Sequence, residues 1–109
     1  MTIRMLRIRA IQIVIATVMA LQINSARGED HMITIDNFTF EPRELAIKSG
    51  TTVRWTNRDD IPHTVVSPGS FKSKALDTDD SYVFVFDHPG TYNYFCSLHP
   101  HMTGMIKVE

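Results

Sequence analysis

Residues 81–108 read SYVFVFDHPGTYNYFCSLHPHMTGMIKV, and they carry a strong β-strand pattern. Residues 81–86 and 91–96 are rich in β-branched and aromatic side chains, which favour extended strands. Between these two runs, Pro89 and Gly90 are typical turn residues. The segment therefore predicts two strands that follow each other and are joined by a turn.

Similar strand patterns recur upstream of this segment. Alternating or β-branched runs occupy residues 32–35, 38–40, 44–48, 51–56 and 63–67, and residues 104–108 form a last run. Residues 70–80 are weakly patterned and mostly polar. In a chain of 109 residues, which is one domain at most, seven to eight short strands with frequent turns predict an all-β sandwich or barrel. The aromatic residues Trp55, Phe84, Phe86, Tyr92 and Tyr94 are predicted to fill its core.

Three potential metal ligands stand at regular spacing just after the last aromatic strand. Cys96, His99 and Met102 are separated by two residues each and offer a thiolate, an imidazole and a thioether. One more imidazole would complete a site with two histidines, one cysteine and a weak axial methionine. That ligand set is typical of blue-copper electron-transfer sites.

The fourth ligand is predicted to be His63, which lies 33 residues before Cys96. Pro62 fixes its own φ and restricts the residue before it, so the loop that enters His63 is stiff. Strand ends that are distant in sequence meet at one pole of a sandwich, so His63 can face the loop 96–102. The candidate metal ligands are therefore His63, Cys96, His99 and Met102.

Other interpretations of individual residues stay open. A lone cysteine in a strand is often a small buried hydrophobe rather than a ligand. His101 and Met105 are close enough in sequence to compete with Met102 for the axial position, although Met105 is also a candidate for core filling. Asp59 and Asp60 are interpreted as part of a solvated loop.

The N-terminal region differs from the rest of the chain. A start with three arginines precedes 14 uncharged, mostly apolar residues (10–23) and a short polar stretch. This is the order of a secretory signal peptide. We therefore expect residues 1–28 to be a signal peptide and residues 29–109 to be the mature domain, with cleavage after Ala26 or Gly28.

The charge and cysteine content of the expected mature domain exclude some classes of protein. It has seven basic and 12 acidic residues, a net charge of −5 with neutral histidines, which argues against nucleic-acid binding. The apolar run 10–23 is shorter than the about 20 residues of a membrane span, so we expect no membrane association after cleavage. A single cysteine cannot form an internal disulfide, and in an exported protein it is either buried, a liability or a metal ligand.

These motifs resemble the cupredoxins, and among them the amicyanin-like small cupredoxins. The matching residues are Pro62-His63, the run 89–96, the spacing Cys96-x-x-His99-x-x-Met102 and the run 104–108. The resemblance implies a Greek-key β-sandwich of seven to eight strands. It also implies one type 1 copper per chain, with His63, Cys96 and His99 as equatorial ligands and Met102 as the axial ligand.

The resemblance further implies a function. It implies a protein of the bacterial periplasm that carries single electrons between redox proteins and has no enzymatic activity of its own. We expect a monomer whose electron donor is a periplasmic dehydrogenase and whose acceptor is a c-type cytochrome. The alternative is a copper-binding protein for periplasmic copper handling, as a chaperone or buffer. One departure concerns Thr64, because many cupredoxins have an asparagine there that ties the two ligand loops together.

Overall fold

The fold is described for residues 30–109 of a computed structural model of the chain. The predicted signal peptide, residues 1–28, lies outside the described residues. The nine strands are β1 (Asp30–Asp36), β2 (Thr39–Glu41), β3 (Glu44–Ile47), β4 (Thr51–Asn57), β5 (Val66–Ser67), β6 (Phe71–Lys72), β7 (Ser81–Phe86), β8 (Gly90–Phe95) and β9 (Thr103–Val108). Over this range, none of the chain forms a helix long and apolar enough to cross a bilayer.

The strands form two sheets that face each other. One sheet has the order β2-β1-β4-β7 and the other has the order β3-β9-β8-β5-β6. The pairs β1–β4 and β3–β9 are parallel, whereas the other neighbours are antiparallel. The predicted all-β Greek-key sandwich is therefore confirmed, with nine strands instead of seven to eight. The additional short strand is β6, in the region that the sequence pattern left unassigned.

Two predicted strands begin later than their sequence patterns indicate. The run 63–67 forms a strand only at Val66–Ser67, and His63 makes an isolated bridge instead. Phe38 fits the alternation of residues 38–40, but it lies in a turn with Asn37 between β1 and β2. Both residues have left-handed backbone conformations, with φ of 51° and 58°. Such angles are unfavourable for a bulky residue such as phenylalanine, so contacts outside the turn must hold it. We refer to these two residues as the 37–38 turn.

A single core lies between the two sheets. Trp55 is fully buried, and its ring packs against those of Phe71, Phe86 and Tyr94 at centroid distances of 5.5 to 6.3 Å. Phe84 and Tyr92 are partly buried against the same cluster. The prediction that the aromatic residues fill the core is therefore confirmed. Burial of large apolar side chains is the main stabilising term for a domain of this size.

Candidate metal centre

Three of the four predicted ligands converge at one pole of the sandwich. The ligand atoms of His63, Cys96 and His99 all lie within 4.8 Å of one another. Cys96 Sγ is 3.7 Å from Nδ1 of each histidine. His63 and Cys96 are fully buried, whereas His99 is half-buried. The cluster therefore offers one sulfur and two imidazole nitrogens to a single ion.

The His63 backbone is fixed by its pairing with a distant residue. Its N–H donates to the Leu76 carbonyl at 3.1 Å, and the Leu76 N–H donates back at 2.7 Å. This isolated bridge ties the loop after β4 to the segment before β7. The imidazole is therefore held in place by main-chain bonds as well as by its neighbours.

Cys96, His99 and Met102 lie in one loop that is closed by its own main chain. The Cys96 N–H donates to the Met102 carbonyl at 3.0 Å, and the Met102 N–H donates to the His99 carbonyl at 2.9 Å. The His99 N–H donates to the Cys96 carbonyl at 3.2 Å. Met102 is 3% exposed and belongs to the buried core. The loop thus returns Met102 to the interior beside the Cys96 backbone.

The two possible competitors of Met102 lie elsewhere. His101 is solvent-exposed at the tip of the loop. Met105 is half-buried in β9, where it alternates with the buried positions Gly104 and Ile106. Met105 therefore points away from the core, and the interpretation of this residue as core filling is wrong.

The surroundings of Cys96 favour the thiolate. Burial raises the pKa of the thiol, but hydrogen bonds from the Thr64 N–H, His63 and His99 outweigh it and lower the pKa from 9.0 to about 6. The Thr64 N–H lies 3.3 Å from Sγ. A thiolate, rather than a thiol, is the form that binds metals. In the metal-free protein, Cys96 is therefore mostly a thiolate at neutral pH, the form that can bind a cation.

This pKa shift predicts a pH-dependent stability of the metal-free protein. The pKa of Cys96 is lower in the folded than in the unfolded chain, so the unfolded chain binds more protons between about pH 6 and pH 9. The stabilisation that Cys96 contributes to the folded protein is therefore fully present above about pH 9, and it is lost as the pH falls toward 6. Denaturant unfolding of the metal-free protein across this range measures it. Cys96→Ala is expected to lack the rise, and an equal rise in both proteins would contradict the assignment.

Thr64 ties the two ligand loops together, although the sequence comparison left this role uncertain. The Ser97 N–H donates to Thr64 Oγ1 at 2.7 Å, and the two hydroxyl groups are also 2.7 Å apart. Thr64 directly follows His63, and Ser97 directly follows Cys96. A threonine hydroxyl therefore makes the link for which many cupredoxins use an asparagine.

Removal of this hydroxyl is expected to destabilise the protein. Thr64→Val keeps the shape of the side chain but leaves the Ser97 N–H without its acceptor. The expected loss in the free energy of unfolding is about 0.5–1.5 kcal/mol, the usual net contribution of one hydrogen bond, because Ser97 is exposed and water can reach its N–H. Denaturant unfolding measures the loss, with Thr91→Val at an exposed position of β8 as the control. Equal stabilities of the two variants would contradict the role of Thr64.

Asp59 is the site residue that sequence reasoning missed. The sequence pattern predicts that Asp59 lies in a solvated loop, but its side chain is only 9% exposed. Its Oδ2 lies 2.7 Å from Nε2 of His63, the ring nitrogen on the far side from Cys96. Burial raises the pKa of the carboxyl group, but hydrogen bonds from the Phe38 N–H, His63 and the Asn37 N–H lower it overall. The neighbouring Asp60 is exposed, as expected.

Asn57 explains why Asp59 turns inward. The Asn57 amide is fully buried, and its Oδ1 accepts the Asp59 N–H at 2.9 Å. Its Nδ2 donates to the carbonyls of Ile61 and Leu76, both at 2.9 Å. The only advance signal was an acidic residue four positions before a candidate ligand, which is too common to be specific.

Phe38 forms part of the outer wall of the site. Its ring packs edge-on against His63 and His99, at centroid distances of 5.5 and 5.2 Å. Phe38 is 47% exposed and Leu98 is 53% exposed, so both present apolar surface close to the half-buried His99. An exposed apolar rim of this kind is suited to contact with another protein.

Residues 9–108 match the family model for cupredoxin-like domains. The chain is 33% identical to amicyanin from Paracoccus versutus over 84 residues, which make up 72% of this chain and 64% of that protein. It therefore spans slightly less than two thirds of the length of this relative.

Solved structures give the same family. A purple cupredoxin from Nitrosopumilus maritimus matches with a TM-score of 0.70 and 36% identity, over 73% of this chain and 100% of that one. A copper-containing nitrite reductase from Thermus scotoductus matches with a TM-score of 0.70 and 30% identity, over 73% of this chain but only 22% of the enzyme. The similarity to the enzyme is thus confined to a small part of its chain.

Proposed function

Because the chain belongs to the cupredoxin-like family, we propose that it is a type 1 copper protein that carries single electrons between redox partners. The observation that carries this proposal is the convergence of His63, Cys96 and His99, with their ligand atoms within 4.8 Å. The arrangement combines a thiolate with two imidazoles at a mostly buried position, as blue-copper sites require.

The donor set fits copper. We propose that His63 and His99 bind through Nδ1, Cys96 binds through its thiolate, and the buried Met102 supplies the weak axial thioether. Both Nδ1 atoms already face Cys96 Sγ at 3.7 Å. When bound, copper supplies a couple that exchanges one electron. His101 and Met105 are not proposed as ligands, because the first is exposed and the second lies on the outer face of β9.

The protein contributes a rigid frame and an electron outlet. The backbone bonds of the 96–102 loop and the Thr64–Ser97 link fix the donors, so few atoms have to move when the oxidation state changes. The half-buried His99 lies beside the exposed Phe38 and Leu98, and we propose that electrons pass through its exposed edge. The exposed apolar side chains of Phe38 and Leu98 suit this face to contact with a partner protein.

The biological setting is also a proposal. We propose that residues 1–28 direct export to the periplasm and that residues 29–109 form the mature, monomeric cupredoxin domain. Its electron donor would be a periplasmic dehydrogenase and its acceptor a c-type cytochrome. We propose no enzymatic activity of its own, because the nitrite reductase that it resembles is matched over only 22% of its length.

The first test is the spectrum of the purified protein with one equivalent of Cu(II). A type 1 site is expected to give an intense visible thiolate-to-copper band and narrow copper hyperfine splitting in electron paramagnetic resonance. The band is expected to bleach on reduction and return on reoxidation, while copper stays bound in the presence of a competing chelator. A pale spectrum with ordinary tetragonal copper would overturn the proposal. Ready loss of copper to the chelator would instead favour copper handling.

A further inference from the structure

The Asp59 carboxylate connects a candidate ligand with a strained turn. Its Oδ1 accepts the Asn37 N–H at 2.6 Å, and its Oδ2 accepts the Phe38 N–H at 3.0 Å. The same Oδ2 lies 2.7 Å from Nε2 of His63. One side chain thus holds the 37–38 turn and one imidazole of the metal centre at the same time.

The 37–38 turn needs this support because of its backbone conformation. Both residues have positive φ values, and phenylalanine in particular disfavours them. The two N–H groups of the turn point at Asp59 and are satisfied there. The 37–38 turn places the Phe38 ring edge-on against His63 and His99. Asp59 therefore contacts one histidine directly and reaches the other through Phe38.

We propose that Asp59 is a positioning residue of the metal centre that orients His63 for binding through Nδ1 and, through the 37–38 turn, keeps Phe38 against His99. This inference rests on the proposed function. A hydrogen bond to one ring nitrogen of a histidine decides which nitrogen remains for the metal. A carboxylate partner also makes the imidazole more basic, so its other ring nitrogen is a stronger ligand for the metal. Its negative charge favours Cu(II) over Cu(I), so Asp59 lowers the reduction potential.

The test compares Asp59→Asn with Asp60→Asn. Both variants remove one negative charge at neighbouring positions, but only Asp59 contacts the site. An asparagine places an NH₂ group against donors that need an acceptor, so at least one of the three bonds is lost. The reduction potential of Asp59→Asn is expected to rise clearly above that of Asp60→Asn. Its Cu(II) affinity is expected to fall by roughly 10–100-fold, as when outer partners of metal ligands are lost.

A second readout follows the turn rather than the metal. In the Cu(I) protein, nuclear Overhauser contacts between the Phe38 and His99 rings are expected to weaken in Asp59→Asn and to persist in Asp60→Asn. If Asp59→Asn does not fold, Asp59→Glu replaces it. The added methylene displaces the carboxylate from the turn, so these ring contacts are again expected to weaken.

The outcomes separate this inference from the proposed function. If the unmodified protein lacks a type 1 spectrum, the proposed function fails. If it has that spectrum but the potentials of Asp59→Asn and Asp60→Asn are equal, the role of Asp59 is refuted. Ring contacts of unchanged intensity in Asp59→Glu would refute it as well.

Discussion

Replacement of Cys96 with alanine is expected to abolish the intense visible band and the narrow copper hyperfine splitting completely. The reason is that Cys96 is the only sulfur donor in the cluster of three converging ligands, and its pKa of about 6 makes it a thiolate at neutral pH. The remaining imidazoles can still bind Cu(II), but as an ordinary tetragonal site. The affinity for Cu(I) is expected to fall by more than the roughly 10–100-fold that loss of an outer-shell bond costs. Visible and paramagnetic resonance spectra, with a Cu(I) competition titration, measure these effects.

His101→Ala is the matched control for this prediction. It changes a potential ligand in the same loop, but at an exposed position outside the cluster. The blue band is expected to survive with unchanged intensity. A Cys96→Ala protein that kept the band, or a His101→Ala protein that lost it, would show that the ligand assignment is wrong.

Replacement of Gly104 with alanine is expected to destabilise the domain strongly. A Cβ atom added to Gly104 would lie 2.2 Å from Cζ and 2.3 Å from the hydroxyl oxygen of Tyr94, which is directly opposite in β8. Tyr94 is 2% exposed and packs against Phe40 and Trp55, so its ring cannot move without disturbing the core. The expected cost is about 3 kcal/mol, the upper end for overpacking. Denaturant unfolding of the metal-free protein measures it.

The cause of this destabilisation can be isolated by a second substitution. Tyr94→Leu removes the ring atoms that the new methyl group would meet. The double variant Gly104→Ala/Tyr94→Leu is therefore expected to lose less stability than the sum of its two single variants. The control is Lys107→Ala, at an exposed position of the same strand. It is expected to change the free energy of unfolding by less than about 0.5 kcal/mol, as is usual for surface positions. Strict additivity of the two substitutions would contradict a steric clash with Tyr94.

The metal centre was predictable wherever one short segment carries the chemistry. Cys96, His99 and Met102 lie within seven residues, so their spacing alone placed a thiolate and an imidazole in one loop. His63 needed the additional assumption that strand ends meet at one pole, and the structure brings it to the cluster. The ligand assignment itself stays a prediction until a metal is bound.

The partners of these ligands were not predictable, because they depend on contacts between distant segments. Asp59 has the sequence environment of a polar loop, and only the buried Asn57 amide and the 37–38 turn draw it inward. Phe38 fitted a strand by its alternation, but the backbone bonds to Asp59 favour a left-handed turn. Local patterns report propensity, and here tertiary hydrogen bonds override it.

The order of the strands has a consequence for when the centre can form. The loop with Cys96 and Met102 lies between β8 and β9, and β9 is inserted between β3 and β8 in its sheet. The parallel pairing of β9 with β3 joins residues 44–47 to residues 105–108. We therefore expect a nascent chain to form the candidate metal centre only after its final strand, β9, has been synthesised. We expect the three converging donors to come together only after chain completion, and a chain stalled before β9 would expose a thiol of ordinary pKa instead of a buried thiolate.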